Sequence, residues 1–170
     1  TNTLVTSGSS VTAATALVDI TDGTFASTSA TIAATALGDI GAKTTGVVTV
    51  TNAAKIVGAA SDLTNTLVTS GSSVTAATAL VDITDGKFAS TSATIAATVL
   101  SNIGAKTSGA VTLQNKVRIE GTVSEVTAAV VSNPSRVVAS QTDTEARVTS
   151  AVDVSEGDAI ATVSNIKGIF

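Results

Sequence analysis

The sequence predicts an α/β fold, an elongated solenoid of about five strand-helix modules with parallel strands. Three observations predict it: a 63-residue internal repeat, segments with two-residue apolar spacing, and segments with helical apolar spacing between them. Two modules per repeat give about 31 residues per module, within the range typical of solenoids. A module this short cannot bury both its strand face and its helix stripe alone, so neighbours must share one core. The alternative fold is a β-solenoid with few helices.

The internal repeat is almost identical in its first part. Residues 1–50 align without a gap with residues 64–113, and 43 of the 50 positions are the same. The identity fades after Leu113, although residues 121–132 still resemble residues 58–70. We therefore expect one continuous solenoid that consists of repeat 1 at residues 1–63, repeat 2 at 64–126 and a divergent, truncated repeat 3 at 127–170.

The first helix is predicted over residues 27–43. Apolar side chains recur there at helical spacing, a Ser/Thr cluster that can cap a helix precedes them, and Gly41 and Lys43 stand where a helix would end. The apolar positions are Ile32, Ala36, Leu37 and Ile40.

Strands are predicted over residues 46–58 and over their counterpart, residues 109–121. In the second copy, polar side chains alternate with apolar ones, as in a half-buried strand. Strands that are joined through helices run parallel, with right-handed crossovers. The apolar face consists of Val111, Leu113, Val117 and Ile119.

Two shorter segments complete one period of strand, helix, strand and helix. Residues 60–68 space Leu63, Leu67 and Val68 as a short helix. Residues 73–86 are ambiguous, because their alanines suit a helix while Val81 and Ile83 suit a strand. We expect a strand in the latter half, followed by a turn at the Asp-Gly pair.

The divergent third repeat contains further helix and strand signals. Thr122 and Glu125 have the capping-box spacing, and residues 132–136 contain the only proline and predict a loop. Residues 146–154 predict a strand. A capped helix is expected over residues 155–168, with Ser155 and Asp158 in the box positions and Gly168 beyond its end.

Composition argues against most chemistry. The chain contains no histidine and no cysteine, which the common nucleophile–base pairs and zinc sites require. A net charge of −4, no basic run and only three Phe as aromatic residues argue against nucleic acid as a partner. No stretch approaches the roughly 18 apolar residues of a membrane span. We therefore expect a protein that is not an enzyme and, from its Thr/Ser-rich, cysteine-free composition, an extracellular one.

The segment "VDITDG" at residues 18–23 and 81–86 is the candidate metal site. Its carboxylates could bind calcium together with backbone carbonyls, although calcium takes about six to eight oxygen ligands and each copy supplies two carboxylates. The alternative is that a strand ends here in an Asp-Gly turn. No other cofactor is expected. The candidate calcium ligands are Asp19, Asp22, Asp82 and Asp85.

The longer segments "GAKTTGVVTVTNAAKIVGAASDLTNTL" at 41–67 and "GAKTSGAVTLQNKVRIEGTVSEVTAAV" at 104–130 resemble the tandem repeats of giant secreted bacterial surface proteins, many of them cyanobacterial. That resemblance implies an adhesin, an S-layer-like coat or an exported filament on the cell surface. We therefore expect a structural spacer segment that stacks and self-associates. The alternative is a glycan-binding adhesin or phage-fibre segment.

Overall fold

Parallel pairing organises the strands of the computed structural model, which describes residues 15–21, 30–51, 54–69, 74–86, 93–132, 137–142 and 144–169. Twelve strands and five helices lie in this part of the chain. The α/β class and the parallel strands are therefore confirmed. The strands are β1 (Val18–Ile20), β2 (Thr31–Ala33), β3 (Val48–Val50), β4 (Lys55–Gly58), β5 (Val74–Thr75), β6 (Leu80–Ile83), β7 (Thr94–Ala96), β8 (Val111–Leu113), β9 (Arg118–Gly121), β10 (Val137–Ala139), β11 (Thr144–Val148) and β12 (Ile166–Ile169).

The strands form three sheets. The first has the order β1-β3-β5, the second β10-β8-β6-β4-β2 and the third β12-β11-β9-β7. Paired residues lie from 22 positions apart, as in Thr144 and Ile166, to 30 apart, as in Val18 and Val48. A parallel partner this far along the chain requires a crossover connection rather than a tight hairpin.

Five helices lie in the crossovers, and each contacts the next one along the chain. Their buried positions share one face: α1, for example, buries Ala34, Leu37 and Ile40, which are three residues apart. The helices are α1 (Ala34–Gly41), α2 (Ala60–Leu63), which continues into a π-helical segment (Thr64–Val68), α3 (Ala97–Gly104), α4 (Val123–Val130) and α5 (Val154–Ala161).

One hydrophobic cluster contains buried residues from all three sheets and all five helices. Strand positions point alternately into this cluster and away from it, as β8 shows with buried Val111 and Leu113 on either side of half-buried Thr112. The predicted inward face of residues 109–121 is confirmed, because its four members are fully buried: Val111, Leu113, Val117 and Ile119.

Strand β6 connects the two near-identical repeats. It lies between β4 of the first repeat and β8 of the second, with Val81 in register with Ile56 on one side and Val111 on the other. Backbone pairing therefore crosses from the first repeat into the second without a break.

Residues 46–58 and 109–121 each form two strands rather than one, which corrects the sequence prediction. In the second copy, β8 and β9 belong to different sheets and residues 114–117 lie between them. The apolar alternation keeps its phase through this corner, so that spacing alone gives no sign of it. One period accordingly contains more strands than the predicted strand, helix, strand and helix.

The predicted first helix begins too early. Helix α1 starts at Ala34, and Ile32 lies instead in β2, where it pairs with Ile56. Residue Ala33 occupies the N-cap position without a side-chain hydrogen bond. Sheet pairing has thus overridden the helical spacing, and residues 27–29 of the expected cap lie outside the described part of the chain.

The last predicted helix is displaced and too long. Helix α5 ends at Ala161, and β12 follows it. Its capping box consists of Asp153 and Glu156 rather than Ser155 and Asp158, and the expected strand over residues 146–154 ends at Val148. Helix signals at 60–68, the Thr122–Glu125 box and the strand in the latter half of 73–86 are confirmed, whereas residues 133–136 of the expected loop lie outside the described part.

The core assignment predicts that two valines in paired strands contribute differently to the free energy of unfolding. Val111 in β8 is fully buried, whereas Val138 in β10 is 47% exposed. We expect Val111→Ala to lower the free energy of unfolding by about 2 to 3 kcal/mol, because it removes buried methyl groups and leaves a cavity. Val138→Ala is the control and should cost less than about 1 kcal/mol. Urea denaturation measures both, and equal losses would contradict the assignment of the inward face.

Candidate functional site

The first carboxylate of "VDITDG" in the second copy belongs to an ion pair between neighbouring strands. Asp82 of β6 lies 2.9 Å from the Lys55 amine of β4, and its side chain is only 11% exposed. Both residues are on the outward side of the second sheet, because Ile56 and Val81 between them point into the core. This partner ties the second repeat to the first.

The same strand pairing carries an ion pair 63 residues later. Arg118 stands at the position of Lys55, and two of its guanidinium nitrogens donate to Glu145 of β11 at 2.9 and 3.0 Å. A second pair, Arg147 with Glu120, joins β11 to β9 at 3.5 Å. On β9 and β11 the paired charges are directly in register, whereas Lys55 and Asp82 are diagonal neighbours on β4 and β6.

The second carboxylate of "VDITDG" caps a helix. Ala60 at the start of α2 donates its amide hydrogen to Asp85 Oδ2 at 2.6 Å, and the N-cap residue Ala59 has no side-chain cap of its own. A carboxylate at a helix N-terminus satisfies a free amide and meets the positive end of the helix dipole. Asp85 therefore fixes the start of a helix that precedes it by 25 residues.

Gly86 completes the turn that the sequence predicts after this strand. Its φ is +86°, and a Cβ atom at this position would lie 2.3 Å from the Lys116 carbonyl oxygen. Glycine alone adopts this conformation at low cost and has no side chain to collide with the approaching backbone. The second copy thus contains the expected strand end, at Ile83, and a bend at Gly86 after it.

The four candidate calcium ligands do not share one environment. Asp19 is exposed on β1 in the first sheet, while Asp82 and Asp85 bond to different elements, β4 and α2. Asp22 lies outside the described residues. Within the described ranges, no group of three or more acidic, histidine or cysteine side chains is placed to hold a metal ion. Calcium binding by these residues stays a prediction.

A threonine bridge that the sequence analysis missed joins neighbouring strands of a sheet near their starts, β1 to β3 and β6 to β8. Thr44 donates its hydroxyl hydrogen to the Ala16 carbonyl at 2.6 Å and accepts a hydrogen bond from the Gly46 amide at 2.9 Å. Thr107 makes the same two bonds, to the Ala79 carbonyl and from the Gly109 amide. The signal was the spacing Thr-x-Gly, which both copies retain although the middle residue changes from Thr to Ser.

The glycine of this bridge is required by space. A Cβ atom at Gly46 or Gly109 would lie 2.2 Å from the carbonyl oxygen that the threonine bonds. Contact this close cannot be relieved by a side-chain rotation, because the oxygen belongs to the backbone. The threonine and the glycine therefore act together to bring one strand start against the preceding one.

The cap of α5 gives the one pKa shift that is resolved in the described part of the chain. The pKa of Asp153 is held below its ordinary value, because the Glu156 amide and then the Ser155 hydroxyl donate hydrogen bonds to its carboxylate. A lowered carboxyl pKa stabilises the folded chain at neutral pH, and this contribution is lost as the pH falls through the folded pKa.

Neither a family model, nor a curated protein, nor a solved structure matches this chain. None of the helices in the described ranges combines the length and the apolar character that crossing a bilayer requires. The repeated contacts between strands and helices are therefore the features on which a function can be based.

The threonine bridge predicts that a hydroxyl, rather than side-chain volume, is needed at residue 107. Thr107→Val keeps the shape but leaves the Ala79 carbonyl and the Gly109 amide without their partner, so we expect a loss of about 1 to 3 kcal/mol in the free energy of unfolding. Thr107→Ser is the control, because it keeps the hydroxyl. Chemical denaturation compares the three proteins, and equal losses in the two variants would show that the hydroxyl is not the cause.

The cap predicts a cost for Asp85→Ala, and calcium tells capping from metal binding. Loss of the cap should lower the free energy of unfolding by about 1 kcal/mol, while Asp85→Asn, which keeps an acceptor oxygen, should cost less. If Asp85 acts only as a cap, we expect the same loss with and without millimolar calcium. A loss that grows with calcium, together with heat in a calorimetric titration of the unsubstituted chain, would instead support the metal site.

Proposed function

We propose that this chain is a non-enzymatic structural repeat segment of a secreted surface or filament-forming protein, in which it acts as a stacking and spacer unit. The observation that carries the proposal is the double pairing of β6, with β4 of the first repeat and with β8 of the second. A repeat that shares a strand ladder with its neighbour lengthens one continuous core. Length is then the property that each added copy supplies.

The elongated solenoid of about five strand-helix modules is part of the same proposal. Strand partners 22 to 30 residues apart and helices that each contact the next support it. From β2 to β10 the second sheet gains four strands while the chain advances by 106 residues, so that one 63-residue repeat corresponds to about 2.4 strands. Because paired strands lie about 4.8 Å apart, one repeat adds roughly 11 Å along the stack.

Contacts between repeats support stacking, because the same two types of contact, a capped helix N-terminus and an ion pair, join the first repeat to the second and the second to the third. The N-terminus of α2 receives Asp85, and the corresponding N-terminus of α4 receives the Ser150 hydroxyl, to which Val123 donates its amide hydrogen at 3.0 Å. Ion pairs across β4–β6 and β9–β11 recur in the same way. Each further copy would therefore find the contacts that the preceding copy offers.

The secreted, cell-surface location rests on the sequence. Its support is the cysteine-free, Thr/Ser-rich composition and the resemblance of residues 41–67 and 104–130 to the repeats of giant bacterial surface proteins. Such a segment holds other domains at a distance and needs no reactive side chains, which agrees with the absence of histidine and cysteine from the chain.

Insertion of further copies tests the spacer function. One, two or three additional copies of residues 64–126 would be placed after residue 126, where the 63-residue period continues. We expect the maximum dimension measured by small-angle X-ray scattering to rise by about 11 Å for each copy. A single cooperative unfolding transition should be retained, because neighbouring repeats stabilise one another.

The control is an insert of the same length and composition with its residues in scrambled order. With this insert, the maximum dimension should not rise by a constant amount for each copy. If the scattering instead follows the compact-globule law, in which the radius of gyration grows only as about the 0.38 power of chain length, the spacer function is wrong.

A further inference from the structure

The outer edge of β1 carries the same residues that β6 uses to bind a neighbouring strand. Residues 17–21 and 80–84 have the identical sequence Leu-Val-Asp-Ile-Thr. On β6 this edge is covered by β4, where the Leu80 amide donates to the Ala54 carbonyl. On β1, no strand of the described residues covers it.

Residues of β1 are more exposed than the identical residues of β6, as expected if β4 covers β6 and no described strand covers this edge of β1. Leu17 is 77% exposed, whereas its counterpart Leu80 is half-buried. Asp19 is exposed, whereas Asp82 is 8% exposed and paired with Lys55. Identical side chains thus change their environment because one has a parallel strand beside it.

Among the described residues, β12 has a neighbouring strand on one edge only, in the third sheet. It is the terminal strand of the order β12-β11-β9-β7, and it runs parallel to β11 with Lys167 in register with Glu145. Lys167 is exposed, whereas Ile166 before it points into the core. Lys167 is therefore on the outward face, as Lys55 is on β4.

On the outward face of the third sheet, the charge of the paired side chains alternates from strand to strand. From β9 to β12 the facing residues alternate in sign, from Arg118 to Glu145 to Lys167. The next strand of such a ladder should carry an acid, and β1 carries one at Asp19. We propose that the outer edge of β1 binds the outer edge of β12 of a second copy of this chain, head to tail, with Asp19 paired to Lys167 of that copy.

This docking rests on the proposed stacking function and gives it a defined interface. The added strand would continue the third sheet in parallel, so that both edges gain backbone hydrogen bonds and Leu17 becomes covered. Because the two surfaces differ, the contact is heterologous and leaves one free edge at each end of a dimer, so that further copies can add.

Charge reversal tests the interface. We expect the unsubstituted chain to form end-to-end oligomers as its concentration rises in analytical ultracentrifugation, and filaments in electron micrographs. Asp19→Lys and Lys167→Asp should each weaken association about fivefold to thirtyfold, because each places like charges in contact. The double variant D19K/K167D restores opposite charges and should associate like the unsubstituted chain, and an equimolar mixture of the two single variants should also assemble.

Matched controls change charge away from the edges. Asp39→Lys on α1 and Lys106→Asp after α3 alter exposed residues that are in no strand, so association should be unchanged. Circular dichroism and urea denaturation check that every variant folds.

Two results would overturn the interface: a chain that stays monomeric at millimolar concentration, and oligomers that the single reversals leave unaffected. The insertion series in the D19K background separates this outcome from the spacer function. If the D19K chains stay monomeric and still lengthen by a constant amount for each inserted copy, the spacer function is supported and the proposed docking is wrong.

Discussion

Parallel backbone pairing between strands more than twenty residues apart is the constraint on which the rest of this structure depends. A parallel strand cannot pair with its predecessor through a tight turn, so the chain must cross over and return to the start of the next strand. In the described part of the chain, a helix lies in several of these crossovers and turns its apolar face to the same core. Helices, corners and repeat length all follow from the need to bring each strand back beside its partner.

Corners are the costly part of such a design, since backbone groups there lose their ladder partners. Side chains supply the missing bonds: Asn115 donates to the Thr84 carbonyl at 3.0 Å, and Ser140 donates to the Gln114 carbonyl at 3.0 Å. Thr107 and Asp85 do the same for a strand start and a helix start. The abundance of small hydroxyl residues is thereby explained in part by hydrogen bonding, beyond their preference for strands.

Sequence patterns predicted the interior of the elements better than their limits. Two-residue spacing identified the buried face of residues 109–121 because burial acts on every second side chain. It missed the corner between β8 and β9, where the alternation continues in phase. Helical spacing failed at Ile32 for a different reason, because a partner strand at Ile56 is a long-range feature that no local pattern contains.

The candidate site shows the same division between local and long-range information. The turn after "VDIT" was predictable because Asp-Gly is a local signal. The partners of its carboxylates were not, because Lys55 and Ala60 precede them by more than twenty residues and approach only through the parallel register. The Thr-x-Gly bridge was visible in both copies, but its meaning depends on a carbonyl 28 residues earlier.

Comparison of the equivalent helices α2 and α4 indicates what the second carboxylate of "VDITDG" does. At the start of α2 the free amide is met by the Asp85 carboxylate, and at the start of α4 the corresponding amide is met by the Ser150 hydroxyl. A neutral hydroxyl and a carboxylate differ greatly as calcium ligands, since calcium sites draw their affinity from charge. They are nearly equivalent as acceptors at a helix N-terminus. Capping is therefore the property that Asp85 and Ser150 share, and it requires only that an oxygen just beyond the end of β6 or β11 reaches the first turn of α2 or α4.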